Sequence, residues 1–188
     1  MSKARDWSDE EKQWMTDNLS YVPENGDLVW KDGASSINNK SRVAGSVAGT
    51  VNTQGYLVIS MWSKGNYLLY RAHRIVWFLN YGEVPSLLDH INRNKLDNRV
   101  ENLRPTTHSL NGRNTNKRVR VTSKYKGVYY NKINKSYTSS IRANNKMTHI
   151  GTSKSEKELA EMYDKWIEEN LSPLEREYAK TNKELGLL

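Results

Sequence analysis

Cysteine is absent from the 188 residues, which excludes a disulfide framework and any thiolate-ligated zinc. Hydrophobic residues make up 36%, less than a globular domain usually carries. Large aromatics compensate, with six Trp and eleven Tyr beside a single Phe. The length allows one or two small domains. No apolar run approaches the roughly 18 residues that a membrane span needs, and the opening MSKARDWSDEE lacks the layout of a secretory signal. These absences predict a soluble, cytoplasmic protein without a membrane partner.

A second absence is local. No acidic residue occurs between Glu101 and Glu156, although the net charge of the chain is only +8. Residues 91–150 hold fourteen basic and two acidic residues, whereas 1–88 hold nine of each and 151–188 return to six basic and nine acidic. An acid-free, basic stretch with interleaved tyrosine reads as a polyanion-binding surface, and nucleic acid is the expected partner. The plain alternative is a solvated basic face that serves solubility.

The order of predicted elements is mixed. Ser8 and Glu11 form a capping box for a short helix to about Leu19. A turn at Pro23–Gly26 leads into the strand DLVWK. GYLVISMW and YLLYRA, joined by SKGN, read as a hairpin. His73 to Gly82 has a helical pattern with a C-terminal glycine, and Pro85 follows as a stop. Leu87–Ile91 and Leu103–Pro105 read as two brief strands joined by a polar loop. Thr106 or Thr107 then caps a short helix through Asn114. Residues 115–122 read as a basic linker. From Ser123 the period changes to two: YKGVYYN, SYTSSIRA and KMTHIGT are three strands. A helix capped by Ser155 follows, with Leu159, Met162, Tyr163 and Trp166 on one face, and then a last helix with Pro173 at its first position.

The stretch LLDHINRNKLDNRVENLRPTTHSLN carries the chemistry. Adjacent Asp89 and His90 stand where a strand runs out into a loop. A carboxylate there can hold a hard cation, and a neutral imidazole can take a proton from water. Cation and base together suffice to hydrolyse a phosphodiester. Asp-His pairs are common, and the dipeptide alone reads first as a turn-rich polar loop with an incidental histidine. The larger order distinguishes the two readings: Asp-His on a strand, a polar loop, Asn-Leu-Arg on a second strand, then Asn on a helix.

HRIVWFLNYGEVPSLLDHINRNKLDNRVENLRPTTHSLNGRN resembles the HNH endonucleases of the phage and intron-encoded homing subgroup. The resemblance implies a ββα-metal motif at about 87–114, with His90 as general base and Asp89 as a metal ligand. It implies Asn111 as the other protein ligand, and Asn102 as the residue that fixes the loop and orients His90 by hydrogen bonding. Many of these enzymes have His where this chain has Asn111, and this subgroup has Asn. The implied cofactor is a divalent metal, Mg²⁺ or Mn²⁺, and the implied substrate is double-stranded DNA. Arg74, Arg104, Arg113 and Asn114 are candidate phosphate contacts. His73, Asp97 and Asn98 are expected to be structural, and Trp62 and Trp77 to be core.

Residues 123–167 resemble the AP2 DNA-binding domain through Gly127-Val128, Ile141-Arg142, Ile150-Gly151 and Tyr163-Asp164. Such domains lay a three-stranded sheet in the major groove. Alternation puts Tyr129 and Asn131, Ser140 and Arg142, and Met147 and His149 on one face. Most of the family's groove-facing arginines are missing, and Arg142 remains. Lys126, Lys132, Lys135 and Lys146, with Lys117, Arg118 and Arg120 of the linker, are expected on the DNA backbone.

The expected fold is therefore α+β: an N-terminal β-rich region and central ββα-metal motif over 1–114, a basic linker over 115–122, and a three-stranded antiparallel sheet with helices over 123–188. One active site per chain predicts a monomer that nicks. The competing readings are a non-enzymatic AP2-like DNA-binding regulator with a decayed nuclease motif, and a nuclease of RNA or structured DNA.

Overall fold

The computed structural model describes residues 5–34, 42–63, 65–114, 122–143 and 146–188. The chain divides into two compact units, Met1–Thr106 and Thr107–Leu188.

In the first unit, helix α1 (Asp9–Asn18) starts at the expected capping box: Ser8 accepts from the Glu11 N–H, and Glu11 accepts from the Ser8 N–H. Strands β1 (Leu19–Val22) and β2 (Asp27–Trp30) follow as an antiparallel hairpin. The sequence pattern does not reveal β1, because LSYV continues directly from the helix without a turn residue. Next comes an antiparallel sheet of β3 (Thr50–Val51), β4 (Leu57–Ser63) and β5 (Asn66–Arg71). Helix α2 (Ala72–Tyr81) ends on Gly82 with φ 73, the left-handed conformation that favours glycine at a helix end.

Met15, Leu19, Leu28, Ile59, Ile75 and Val76 are essentially inaccessible and form the centre of this unit's core. Trp7 sits edge-on to Tyr70 and Phe78. Trp77 belongs to this core as expected, but Trp62 does not: it is 59% exposed on β4, edge-on to Tyr67. Strands β6 (Leu88–His90) and β7 (Leu103–Pro105) pair antiparallel after α2, with a 3-10 turn at Val100–Asn102 leading into β7.

The second unit opens with helix α3 (His108–Asn111), capped by Thr107 and one turn long, shorter than the reading through Asn114. Strands β8 (Val128–Asn131), β9 (Ser136–Ala143) and β10 (Lys146–Ser153) form one antiparallel sheet in the order β10-β9-β8. Helix α4 (Glu156–Asn170) packs on it, and α5 (Pro173–Tyr178) follows. The buried residues of α4 are Leu159, Ala160, Tyr163, Asp164 and Ile167. The expected face was thus rotated: Met162 is exposed, and Asp164 points inward. Asp164 accepts from the Asn182 N–H, the Asn182 side-chain amide and the Lys183 N–H. That buried carboxylate fastens the C-terminal tail that follows α5.

Among the described residues, no helix is long and apolar enough to cross a membrane.

Candidate active site and candidate nucleic-acid interface

The loop between β6 and β7 has little regular structure, so its backbone N–H groups need side-chain acceptors. Asparagine supplies them. Asn92 Oδ1 accepts from the Asn94 N–H at 2.8 Å, and Asn94 Oδ1 from the Leu96 N–H at 3.1 Å. Asn102 Oδ1 accepts from the Asn92 N–H at 3.0 Å, while its Nδ2 donates to Asn92 Oδ1 and the Asp97 carbonyl. Asp97 clasps Arg99 through both oxygens and also accepts from Asn92. The hydrogen bonds from Arg99 outweigh desolvation and bring the Asp97 carboxyl down to about 2. Asparagine density in this stretch is therefore a loop scaffold.

Two contacts from the first hairpin brace that scaffold. The Tyr21 hydroxyl accepts from the Val100 N–H at 2.9 Å. Gly26, at φ 81, lies so close that a Cβ there would sit 2.4 Å from the Arg99 nitrogen.

Asp89 and His90 are buried, at 7% and 5% exposure. Asp89 pairs across the ladder with Arg104, whose Nε and Nη2 donate to Asp89 Oδ2 at 3.2 and 3.0 Å. His90 packs in a ring cluster, 4.9 Å from His73 and 6.2 Å from Tyr56 between centroids. Its Nε2 lies 3.2 Å from Asn98 Oδ1. An amide oxygen only accepts, so Nε2 carries the proton and the neutral ring has its lone pair on Nδ1.

Asn98 is thus the side chain set on His90, and Asn102 holds the loop instead. The reason is reach: three bonds tie the Asn102 amide to Asn92 and Asp97. Burial pushes the His90 imidazole below its ordinary value, and Asn98, Asp89 and Asp97 restore only part of it. Burial, then His90, Arg71 and Arg74, hold His73 well below its ordinary value.

Several expected phosphate contacts have internal duties. Arg74 lies over the Trp7 ring at 5.1 Å and donates to the Pro85 carbonyl, so its guanidinium serves packing. Arg104 is engaged by Asp89. In the second unit, Arg113 pairs with Glu175 at 2.8 Å, and Asn114 is buried. Lys126 Nζ donates to the carbonyls of Arg113 and Lys180, which makes it a fastener. Asn111 closes α3, its N–H donating to the Thr107 carbonyl. Lys117, Arg118 and Arg120 lie outside the described residues.

The face of the second unit's sheet away from α4 is polar. Arg142 pairs with Met147, and Ser140 with His149. Arg142, Met147, His149, Lys146, Lys132 and Lys135 are exposed, and so is Tyr129. Asn131 is half-buried and caps the β8–β9 turn by accepting from the Ile133 N–H.

Among the described residues, no group of three or more His, Cys, Asp or Glu could hold a metal ion. Asp89 is a hard-oxygen donor of the kind that suits a cation taking water and phosphate as its remaining ligands.

Comparison with known proteins bears on the same region. Residues 70–113 match the HNH endonuclease family. A solved structure of DNA binding and cleavage by the HNH homing endonuclease I-HmuI is similar at 19% identity, over 50% of this chain and 49% of that one, with a TM-score of 0.36. No curated protein matches the chain.

Proposed function

We propose that the chain is a metal-dependent DNA endonuclease of HNH type, of the phage and intron-encoded homing subgroup, which hydrolyses a phosphodiester bond of duplex DNA. The observation that carries this reading is His90. It is a buried, neutral imidazole with Nε2–H fixed on Asn98, at the end of a strand whose preceding residue is a buried carboxylate, inside the stretch that matches the HNH endonuclease family.

His90 Nδ1 takes a proton from the attacking water as its oxygen bonds to phosphorus, and the bond to the leaving sugar oxygen breaks. Asn98 keeps the ring in the tautomer that can do this. Arg104 holds the Asp89 carboxylate in place. Asp89 would hold a divalent cation, Mg²⁺ or Mn²⁺, which when bound would neutralise charge developing on the phosphate and the leaving oxygen; the resemblance to the HNH endonucleases implies Asn111 as the other ligand. The second unit binds duplex DNA as an AP2-like module, with Arg142 and His149 on its open face and Lys132, Lys135 and Lys146 beside the backbone. A monomer with one such site nicks.

The test is relaxation of supercoiled plasmid with Mg²⁺, with Mn²⁺ and with chelator, alongside competition by single strands and RNA. Cation-dependent nicking that duplex DNA competes best supports the reading. Cleavage of RNA in preference to DNA, or none of either, contradicts it.

A further inference from the structure

Beside His90 lies a pair of cations that the proposed chemistry has not used. Tyr56 follows a tight turn in which Asn52 Oδ1 accepts from the Gln54 and Tyr56 N–H groups, both at 3.0 Å, and the Asn52 N–H donates to the Tyr56 carbonyl at 2.9 Å. The ring is thereby fixed, 5.5 Å from His73 and 6.2 Å from His90. Over that one ring stand the Arg71 guanidinium at 4.5 Å and the Lys95 ammonium at 4.6 Å. Both also reach Gln54: Arg71 Nη2 donates to its Oε1 at 3.1 Å and Lys95 Nζ to its carbonyl at 2.9 Å.

Two other cations of the loop and ladder are neutralised, Arg99 by Asp97 and Arg104 by Asp89. Among the described residues, no carboxylate lies within ion-pairing distance of Arg71 or Lys95. Two like charges gathered on one tyrosine repel one another. An anion between or beside them would relieve that repulsion, and both side chains are exposed to receive one. With two cations over the ring, Tyr56 is also a poor platform for a stacked base. The pair therefore suits a phosphate better than a nucleobase.

We propose that Arg71 and Lys95, held on Tyr56, bind one backbone phosphate of the cut strand adjacent to the scissile bond, and so seat the scissile phosphodiester against His90. This rests on the phosphodiesterase reading above. The two residues position substrate and take no part in proton transfer.

The test uses the full chain, Arg71→Met, Lys95→Met and the double variant, with Arg71→Lys as the charge-preserving control. Cleavage is followed at varied DNA concentration on duplexes that carry one neutral methylphosphonate at successive positions through the cut. For the parent, one substitution within about two nucleotides of the cut should raise KM by roughly tenfold, as expected for a lost charge-assisted contact. The double variant should show that loss on unmodified DNA, no further loss at that position, and kcat within about threefold of the parent. Its salt dependence of binding should be shallower by about 0.9, the slope of one phosphate. Arg71→Lys should recover most of the affinity. Unfolding midpoints equal to the parent's show that the variants fold, and Lys95→Met alone, from an exposed loop position, gives the same readout if Arg71→Met misfolds. A parent that cleaves while the variants keep its KM, or keep its pattern of methylphosphonate sensitivity, overturns the clamp and leaves the nuclease reading intact. A parent that cleaves no DNA overturns the nuclease reading, and the clamp with it.

Discussion

Two buried imidazoles with ring centroids 4.9 Å apart cannot both carry a proton without cost. His73 and His90 are both held below the ordinary histidine value, first by burial. For a group whose folded value is depressed, the unfolded chain binds more protons as pH falls through about 6.5, so stability is complete above that pH and declines below it. The expected slope is at most about 1.4 kcal/mol per pH unit for each histidine. Urea unfolding at pH 7.5 and 5.5 measures it, and His73→Gln should flatten the curve. Equal stability at both pH values would mean that neither ring is neutral by burial. Asn98 belongs to the same scale. Asn98→Ala frees the His90 ring to reorient, so kcat should fall about tenfold or more with KM retained, as single-turnover and steady-state rates together would reveal. The order of strand, polar loop, strand and helix around them, with the family resemblance it carries, made Asp89 and His90 legible as a chemical pair. That order did not single out Asn98, because one asparagine in a loop of asparagines looks like the next until the fold shows which one meets the imidazole.

Among the elements, the ones with strong end signals were legible: the capping box of α1, the proline at the start of α5 and the glycine end of α2. The β6–β7 pair and the three-stranded sheet also stand where alternation and turn residues put them. What escaped was packing between elements. LSYV became a strand because Tyr21 and Gly26 brace the Asn98–Val100 segment, a tertiary reason without a local signature. The α4 stripe turned because Asp164 answers backbone groups of a distant tail. Gly127 makes this scale testable. It has φ 77, and a Cβ there would lie 2.2 Å from the Tyr163 ring. Gly127→Ala combines backbone strain with overpacking and should destabilise the second unit by about 2 kcal/mol or more. Thermal unfolding monitored by tryptophan and tyrosine signals would show it. A variant as stable as the parent would mean that β8 and α4 do not meet so closely.

Charge is divided unevenly over the whole molecule. Residues 1–106 hold thirteen basic and twelve acidic residues, and 107–188 hold sixteen and nine, so nearly all the net charge of +8 lies in the second unit. That division suits a catalytic unit joined to a polyanion-binding one, as proposed above. Arg142→Ala should then relax the choice of cleavage sites more than Lys135→Ala, because Arg142 stands on the open sheet face and Lys135 in a turn. Sequencing of cleavage ends from randomised duplexes compares the two variants, and identical site preferences would remove the sheet face from the account. The central claim, that His90 is the base of a DNA-cleaving site, is tested most directly by single-turnover nicking of duplex DNA by the parent and His90→Ala at matched, saturating occupancy. The account predicts a rate lowered by roughly 10²–10⁴ with DNA affinity nearly unchanged. Equal rates for the two proteins would contradict it.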